Sequence, residues 1–235
     1  MVALLPDWAG PVAHYMVHVG VKYTLEIAAF AVVGSTVVGI LLGTLMTIQF
    51  APLRALIRVY IEIWRGLPII VTIFLVVYAL PVVHPLHVGS LHIALGHRFI
   101  PWRGAAVGLS LWGSAQVAEA TRGAVQSIPR EQHEAAAALG FGWIGRHRSV
   151  ILPQALRRLL PPLVGLLVNV IQNTTIASII GVTEVLSTGQ RSTERLAFST
   201  GASHALAIYI AIAATFFCIS FPLTRAAIFL ERRLI

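Results

Sequence analysis

Glu119 and Arg122 stand three residues apart in a run that is otherwise rich in Gly, Ala, Ser and Leu, and Glu62 and Arg65 repeat that spacing in a second apolar stretch. On a helix, positions three apart share a face, so each pair can form an ion pair. Ionisable groups this close to membrane-length apolar runs face protein or water, and a part in a translocation path is the second reading for both pairs. A larger polar constellation, Asn169, Gln172, Asn173, Thr174, Thr175 and Ser178, interrupts a segment otherwise made of Val, Ile and Ala. Its amides both donate and accept, and Asn169, Gln172 and Asn173 can share one helical face. Such groups either hydrogen-bond neighbouring helices or hold a zwitterionic solute midway across a bilayer. Both chemistries are binding and passage, not bond-making.

Other reactive types form no site. His84, His87, His92 and His97 fall within fourteen residues, and imidazole suits Zn²⁺ or Cu²⁺. Their spacing is irregular, and no Cys or carboxylate lies nearby, so they read as interfacial loop histidines. His133-Glu134 opens an H-E-x-x-H pattern, but Ala137 stands at the second histidine position. The single Cys218 lies in an apolar run, which excludes a disulfide within the chain and suits a small buried hydrophobe. No nucleophile, base or metal constellation supports an enzyme.

The elements that must carry these residues are membrane helices. Of 235 residues 57% are hydrophobic and 11% charged, with mean hydropathy +0.83. The net charge of +8 reads as retention of cytoplasmic loops and not as nucleic-acid binding. A bilayer core of about 30 Å takes about 20 helical residues. Five runs meet that need, over about 21–48, 56–83, 104–128, 155–181 and 204–230, and with no internal repeat or linker they form one all-helical domain over 1–235. In the first run Gly34, Gly39 and Gly43 could admit close packing by a neighbour. The amino-terminal segment lacks a positive n-region and carries Pro6, Asp7 and Pro11, so the first span is expected to act as an uncleaved insertion signal. An N-out, C-in arrangement puts twelve of the 17 basic residues inside and five outside.

The segment EQHEAAAALGFGWIGRHRSVILP (131–153) then lies in the cytoplasm. Pro129 suits a first helical turn, Glu131 and Glu134 suit the positive end of the dipole, and Ala135 to Ala138 are strong helix formers. Gly140 ends the helix where a left-handed residue is commonly needed. The expectation is a thin rod over about 129–140, acidic near one end, that can enter a groove in another protein. After a break at 142–145 the chain returns to the bilayer near Pro153.

Glu134-Ala135-Ala136, Gly140 and Leu152-Pro153 together resemble the EAA motif of permease subunits of ABC importers. Val150 stands where that family usually has Ile, a conservative change. YIEIWRGLP (60–68), AEATRGAVQSIP (118–129) and IQNTTIASIIGVTEVLSTGQ (171–190) resemble the polar amino acid uptake branch, whose members carry histidine, glutamate, glutamine, arginine or opines. The resemblance covers most of residues 21–230. It implies the type I importer permease fold and a bacterial plasma-membrane location. It implies also an ATP-binding cassette ATPase dimer, a second permease copy or paralogue, and an extracytoplasmic substrate-binding protein. The 131–153 insert then resembles the coupling helix that docks in the ATPase through Glu134, Ala135, Ala136, Gly140, Leu152 and Pro153.

ATP and Mg²⁺ are expected on that separate ATPase, with no cofactor in this chain. Gly140 and Gly145 have P-loop spacing, but Arg146-His147 follows where Lys-Ser/Thr is required. The substrate path is expected at Asn169, Gln172, Asn173, Thr174, Thr175 and Glu119. Members of the branch often have Lys-Asp where this chain has Gln172-Asn173, so substrate identity does not carry over at this pair. The face of Asn169, Gln172 and Asn173 carries no fixed charge, which argues against a strongly cationic substrate such as arginine unless the partner permease supplies the acid, and favours a neutral or acidic amino acid such as glutamine or glutamate. An ATP-independent channel or secondary transporter could use the same polar span, but it would need no coupling helix.

Overall fold

The structure, a computed structural model, describes residues 6–48, 50–79, 86–88, 91–93 and 101–234. The helices are α1 (Ala9–Tyr15), α2 (Lys22–Leu45), α3 (Ala51–Gly66), α4 (Ile69–Phe74), α5 (Pro101–Gln126), α6 (Arg130–Ala138), α7 (Trp143–Arg146), α8 (Leu152–Gln172), α9 (Val185–Thr200) and α10 (Ala205–Leu234). Wider π turns join α1 to α2 and α7 to α8, and a tighter 3₁₀ segment, Asn173–Ile180, continues α8. Two three-residue strands, Leu86–Val88 and Leu91–Ile93, pair antiparallel and set His87 opposite His92. His84 and His97 lie outside the described residues, and among those described no group of His, Cys, Asp or Glu could hold a metal.

Among the described residues three helical runs are long and apolar enough to cross a membrane: Ala9–Leu45, Trp143–Ile180 and Ala205–Phe229. The 56–83 stretch, expected as one span, is two helices. Leu67 takes an extended conformation ahead of Pro68, and the residue before a proline is driven out of the α region. Counting α3 together with the 69–79 helix gives a fourth candidate. The 104–128 stretch forms the 26-residue α5, long enough to span but absent from the runs that pass on hydropathy. Ala105, Ala106, Leu109, Ser114, Ala115, Val117, Ala118 and Thr121 of α5 are all buried in protein, and a helix sheathed by protein needs no lipid-facing apolar surface.

The chain divides into two compact units. In the first (1–31, 69–109 and 170–221) the core is Met16, Val185, Ile208 and Ile212, bordered by Trp8, Val12, Leu196 and Phe216. Gly20 lets α9 approach closely: a Cβ there would stand 2.6 Å from Thr188 Oγ1 and 2.9 Å from Val185 Cα. Glu184 caps α9, accepting from the backbone N–H groups of Leu186 and Ser187, both at 2.8 Å. It is fully buried, and burial outweighs those two bonds to push its carboxyl up to about 7 from 4.5. The folded chain thus holds a proton here that the unfolded chain has released, so this group's share of stability falls as pH rises from about 4.5 to about 7. Melting temperature in detergent should decline across that window, and Glu184→Gln should flatten the decline. A variant with the parental slope would show that another group titrates.

The second unit (32–68, 110–169 and 222–235) holds three clusters. Met46, Ile57, Ile61 and Ala118 join α3 to the middle of α5. Val117, Leu159 and Leu163 join α5 to α8, and Val125, Ile128, Ile151 and Ala155 close the same pair near the α6 insert. Tyr60 of α3 and Ser114 of α5 add a side-chain hydrogen bond of 2.7 Å.

Candidate functional site

The α6 insert is built by local chemistry. Pro129 forms the N-cap, with an extended ψ of 145°, and the helix runs for nine residues from Arg130. It is shorter than the expected 129–140 helix because Pro129 lies outside it and because it closes in a Schellman motif. Phe141 N–H donates to Ala136 O and Gly140 N–H donates to Ala137 O, which requires the left-handed φ of +81° at Gly140. Of the motif residues, Ala136 is buried while Glu134, Ala135 and Gly140 are exposed. Leu139 is 77% exposed and Ile144 74%, so the rod ends in apolar side chains without cover in this chain. Gly142 caps α7, and the chain is helical again from Trp143, ten residues before Pro153; Leu152 and Pro153 form the first turn of α8.

The insert is latched down. His147 is buried and stacks on Trp143 with ring centroids 4.1 Å apart. Its Nδ1 lies 2.9 Å from Trp143 O and its Nε2 3.0 Å from Thr47 Oγ1, just beyond α2. Arg158 of α8 donates to Ser127 O at 2.6 Å, and Gln154 Nε2 donates to Gln132 Oε1 at 3.3 Å. Burial, and then the Arg146 cation, push the His133 imidazole below its ordinary value. These contacts tie α6 to α8 through Gln132 and Gln154, and the turn after α7 to the end of α2 through His147 and Thr47.

The charges expected as two local pairs form one cluster. Arg122 donates from Nε to Glu119 Oε2 at 3.0 Å and from Nη2 to Glu119 Oε1 at 2.5 Å. Arg65 also points to Glu119, with Nη1 at 4.0 Å from Oε1, and not to Glu62. Glu119 is half-buried, where an ion pair is less screened, whereas Glu62 is exposed on α3. A cavity of about 210 Å³ lined by Arg58, Glu62, Arg65, Glu119 and Arg122 opens here, and one of about 400 Å³ beside Arg54, Arg58, Arg122 and Gln126.

On the polar stretch, Asn169 and Gln172 are exposed and Asn173 is half-buried. Gln172 Nε2 lies 3.5 Å from Ser220 Oγ. The stretch is not one continuous α-face, because the helix tightens to 3₁₀ at Asn173. Thr174 is fully buried and donates to Ile171 O at 2.7 Å, and Thr175 donates to Gln172 O at 2.9 Å. Both hydroxyl protons are thus spent on the helix itself. The sequence reading gave no role to Glu184, although Thr-Glu ahead of Val-Leu-Ser is a helix-start pattern, nor to Arg191 and Arg195 on α9.

Helices long and apolar enough to cross a membrane, with the short, exposed α6 between them, describe a multi-pass membrane component. Residues 35–235 match the family of the binding-protein-dependent transport system inner membrane component, and the chain belongs to that family. It is therefore the permease component of an ABC transport system in the bacterial inner membrane, whose ATPase is a separate subunit.

Among relatives, the chain is 34% identical over 214 residues to the inner membrane amino-acid ABC transporter permease protein YhdY of Escherichia coli. That match takes in 91% of this chain and 55% of YhdY, so the chain spans about half the length of that relative. It is 34% identical over 215 residues to the glutamine transport system permease protein GlnP of the same organism, covering 92% of this chain and 91% of GlnP. The probable amino-acid ABC transporter permease protein PatM of Vibrio harveyi is 30% identical over 90% of this chain and 88% of its own. A crystal structure of an amino acid ABC transporter with histidines superposes with a TM-score of 0.76 at 24% identity, covering 98% of this chain and 100% of the other. An inward-facing MetNI methionine ABC transporter superposes with a TM-score of 0.74 at 18% identity, with the same coverage. The all-helical type I importer permease fold expected from sequence is the fold found.

Proposed function

We infer that this chain forms the translocation path of an ATP-driven importer for amino acids, with a glutamine- or glutamate-type substrate. The observation that carries the reading is α6. An alanine rod bearing exposed Glu134 and ending in exposed Leu139 and Ile144 fits a groove in a partner ATPase, which would bury those apolar side chains. Five spans with N-out, C-in topology put α6 in the cytoplasm with that ATPase, and the Arg146-His147 pair leaves nucleotide binding to it. The likeness to GlnP supports the substrate class. Asn169, Gln172 and Asn173 carry amides that can both donate to and accept from a zwitterion, and Thr174 and Thr175 follow them where the helix tightens to 3₁₀. Glu119, clamped by Arg122, lines the path with a fixed charge pair. A second permease, identical or paralogous, completes the pore.

The test is reconstitution with the ATPase and a substrate-binding protein, followed by glutamine and glutamate uptake. Asn173→Leu roughly conserves volume and removes both hydrogen-bonding atoms. It should lower uptake about tenfold or more, the scale of one lost buried hydrogen-bonding partner, while basal ATP hydrolysis stays at the parental rate. Unchanged uptake would move the substrate site to the partner permease.

A further inference from the structure

Arg54 and Arg58 lie one turn apart on α3, and among the described residues neither guanidinium makes an ion pair or a hydrogen bond. Like charges at that spacing repel, and nothing else in the chain offsets the repulsion. Both line the cavity of about 400 Å³ whose far wall is the end of α5, with Arg122 and Gln126. Arg122 is held in one pose, because it clamps Glu119 and its Nη1 donates to Gln126 Oε1 at 2.5 Å. That bond occupies the Gln126 amide oxygen and leaves the NH₂ group as a donor. The charged and amide side chains around this cavity are therefore all donors. Among the described residues no carboxylate lines it, since Glu62 and Glu119 line the neighbouring cavity. The walls are fixed to each other within one compact unit by the cluster of Met46, Ile57, Ile61 and Ala118.

A cavity of donors selects an anion, and the acceptor it lacks decides which. An amino acid or a phosphatidylethanolamine headgroup carries an ammonium that finds no acid there. The phosphodiester of phosphatidylglycerol brings no cation, and a guanidinium fork matches phosphate oxygens bidentately. The level along the helices is that of lipid phosphates. The membrane-length run Ala9–Leu45 ends one residue before Met46, which lines the cavity, α5 ends at Gln126, and Arg54 sits in the first turn of α3. Met46, Ala51 and Ala55 supply apolar wall beside the arginines. α3 also keeps its arginines and its uncovered Leu56, Val59 and Ile63 on different faces, as a helix seated at a membrane surface does. Basic pockets between spans at that level are suited to anionic headgroups.

We propose that this cavity between α3 and α5 binds the phosphodiester of an anionic phospholipid, with Arg54, Arg58 and the Gln126 amide as its ligands. The proposal depends neither on the substrate nor on which side of the membrane α6 lies. The permease complex, purified in neutral detergent and stripped of lipid, is to be titrated with phosphatidylglycerol, phosphatidylethanolamine and inorganic phosphate. Native mass spectrometry counts bound lipid, and the melting temperature is followed in parallel. Phosphatidylglycerol should bind about tenfold or more tighter than phosphatidylethanolamine and raise the melting temperature. Arg54→Gln with Arg58→Gln should weaken that binding about tenfold or more and remove the rise. Without lipid this variant should melt at or above the parental temperature, because the repulsion is relieved. The lysine double variant should fall between, since charge is kept and the guanidinium fork is lost. Arg148→Gln with Arg157→Gln removes as much charge from exposed positions outside the cavity and should leave phosphatidylglycerol affinity unchanged. Equal weakening by both glutamine pairs would reduce Arg54 and Arg58 to general surface charge and overturn the proposal. So would phosphatidylethanolamine binding as tightly as phosphatidylglycerol. Protection of the parent, but not of the Arg54/Arg58 variant, by inorganic phosphate alone would overturn the lipid source and assign the cavity to a free anion.

Discussion

Gly140→Val is expected to lower binding-protein-stimulated ATP hydrolysis and uptake about tenfold while the permease still accumulates in the membrane. Gly140 holds φ at +81°, and a Cβ there meets nothing within 4 Å, so the variant suffers from backbone conformation and not from a clash. A residue with Cβ costs about 1–2 kcal/mol in that region, more for a β-branched one. The cheapest relief is to open the Schellman motif, releasing the hydrogen bonds from Phe141 to Ala136 and from Gly140 to Ala137. The end of α6 then frays, and Leu139 and Phe141 lose the positions in which they are presented. Because α6 protrudes and its core contact is Ala136, the spans should fold as before. Asn, which tolerates left-handed backbone, should retain most of the coupling. Measuring membrane levels and hydrolysis together separates the cases. Parental stimulation in the valine variant would remove α6 from the coupling path, and loss of protein would make Gly140 a folding residue.

The short-range features of this fold were legible because each depends on chemistry within a few residues. The alanine run, the first-turn Glu131 and the left-handed Gly140 are such features, and they placed α6 to within about two residues. The break after Gly66 was legible in principle, since Pro68 marks it, but a hydropathy run carries no signal of direction. What depends on neighbours was hidden. Arg65 turns to Glu119 on another helix instead of to Glu62 one turn away, because Glu119 is half-buried and its charge less screened than that of the exposed Glu62. Thr174 and Thr175 are expected on the path, and only the structure shows that their hydroxyls donate to Ile171 O and Gln172 O of their own helix, where it tightens to 3₁₀. α5 is long enough to span but falls short on hydropathy, because the face it buries in protein is built of Ala, Ser and Thr as well as Leu and Val.

Gly43→Val should be the most damaging single change in the second unit, and its cause is steric. Gly34, Gly39 and Gly43 line the face of α2 that meets α5, the close packing their spacing suggested. A Cβ at Gly34 would lie 2.7 Å from Ser110 Oγ, and one at Gly39 2.5 Å from Val117 Cβ. At Gly43 it would run into the carbonyl oxygen of Ala118 and lie 2.5 Å from Thr121 Cβ. A flexible side chain can swing aside, but a carbonyl locked in a helix cannot, so α5 itself must move. Ala118 adjoins Glu119, and Thr121 adjoins Arg122, so any shift there pulls on the carboxylate shared with Arg65. Overpacking a tight core costs about 1–3 kcal/mol, and backbone displacement adds to it. The expected outcome is a melting temperature in detergent several degrees below the parent, with uptake falling further than the loss of folded protein explains. The more tolerant Gly34→Ala, which meets Ser110 Oγ at 2.7 Å and Ser110 Cβ at 3.0 Å but no carbonyl, sets the reference. If Gly43→Val melts with the parent, the α2–α5 seam is looser than the structure has it, and the position of Glu119 must be fixed from α3 instead.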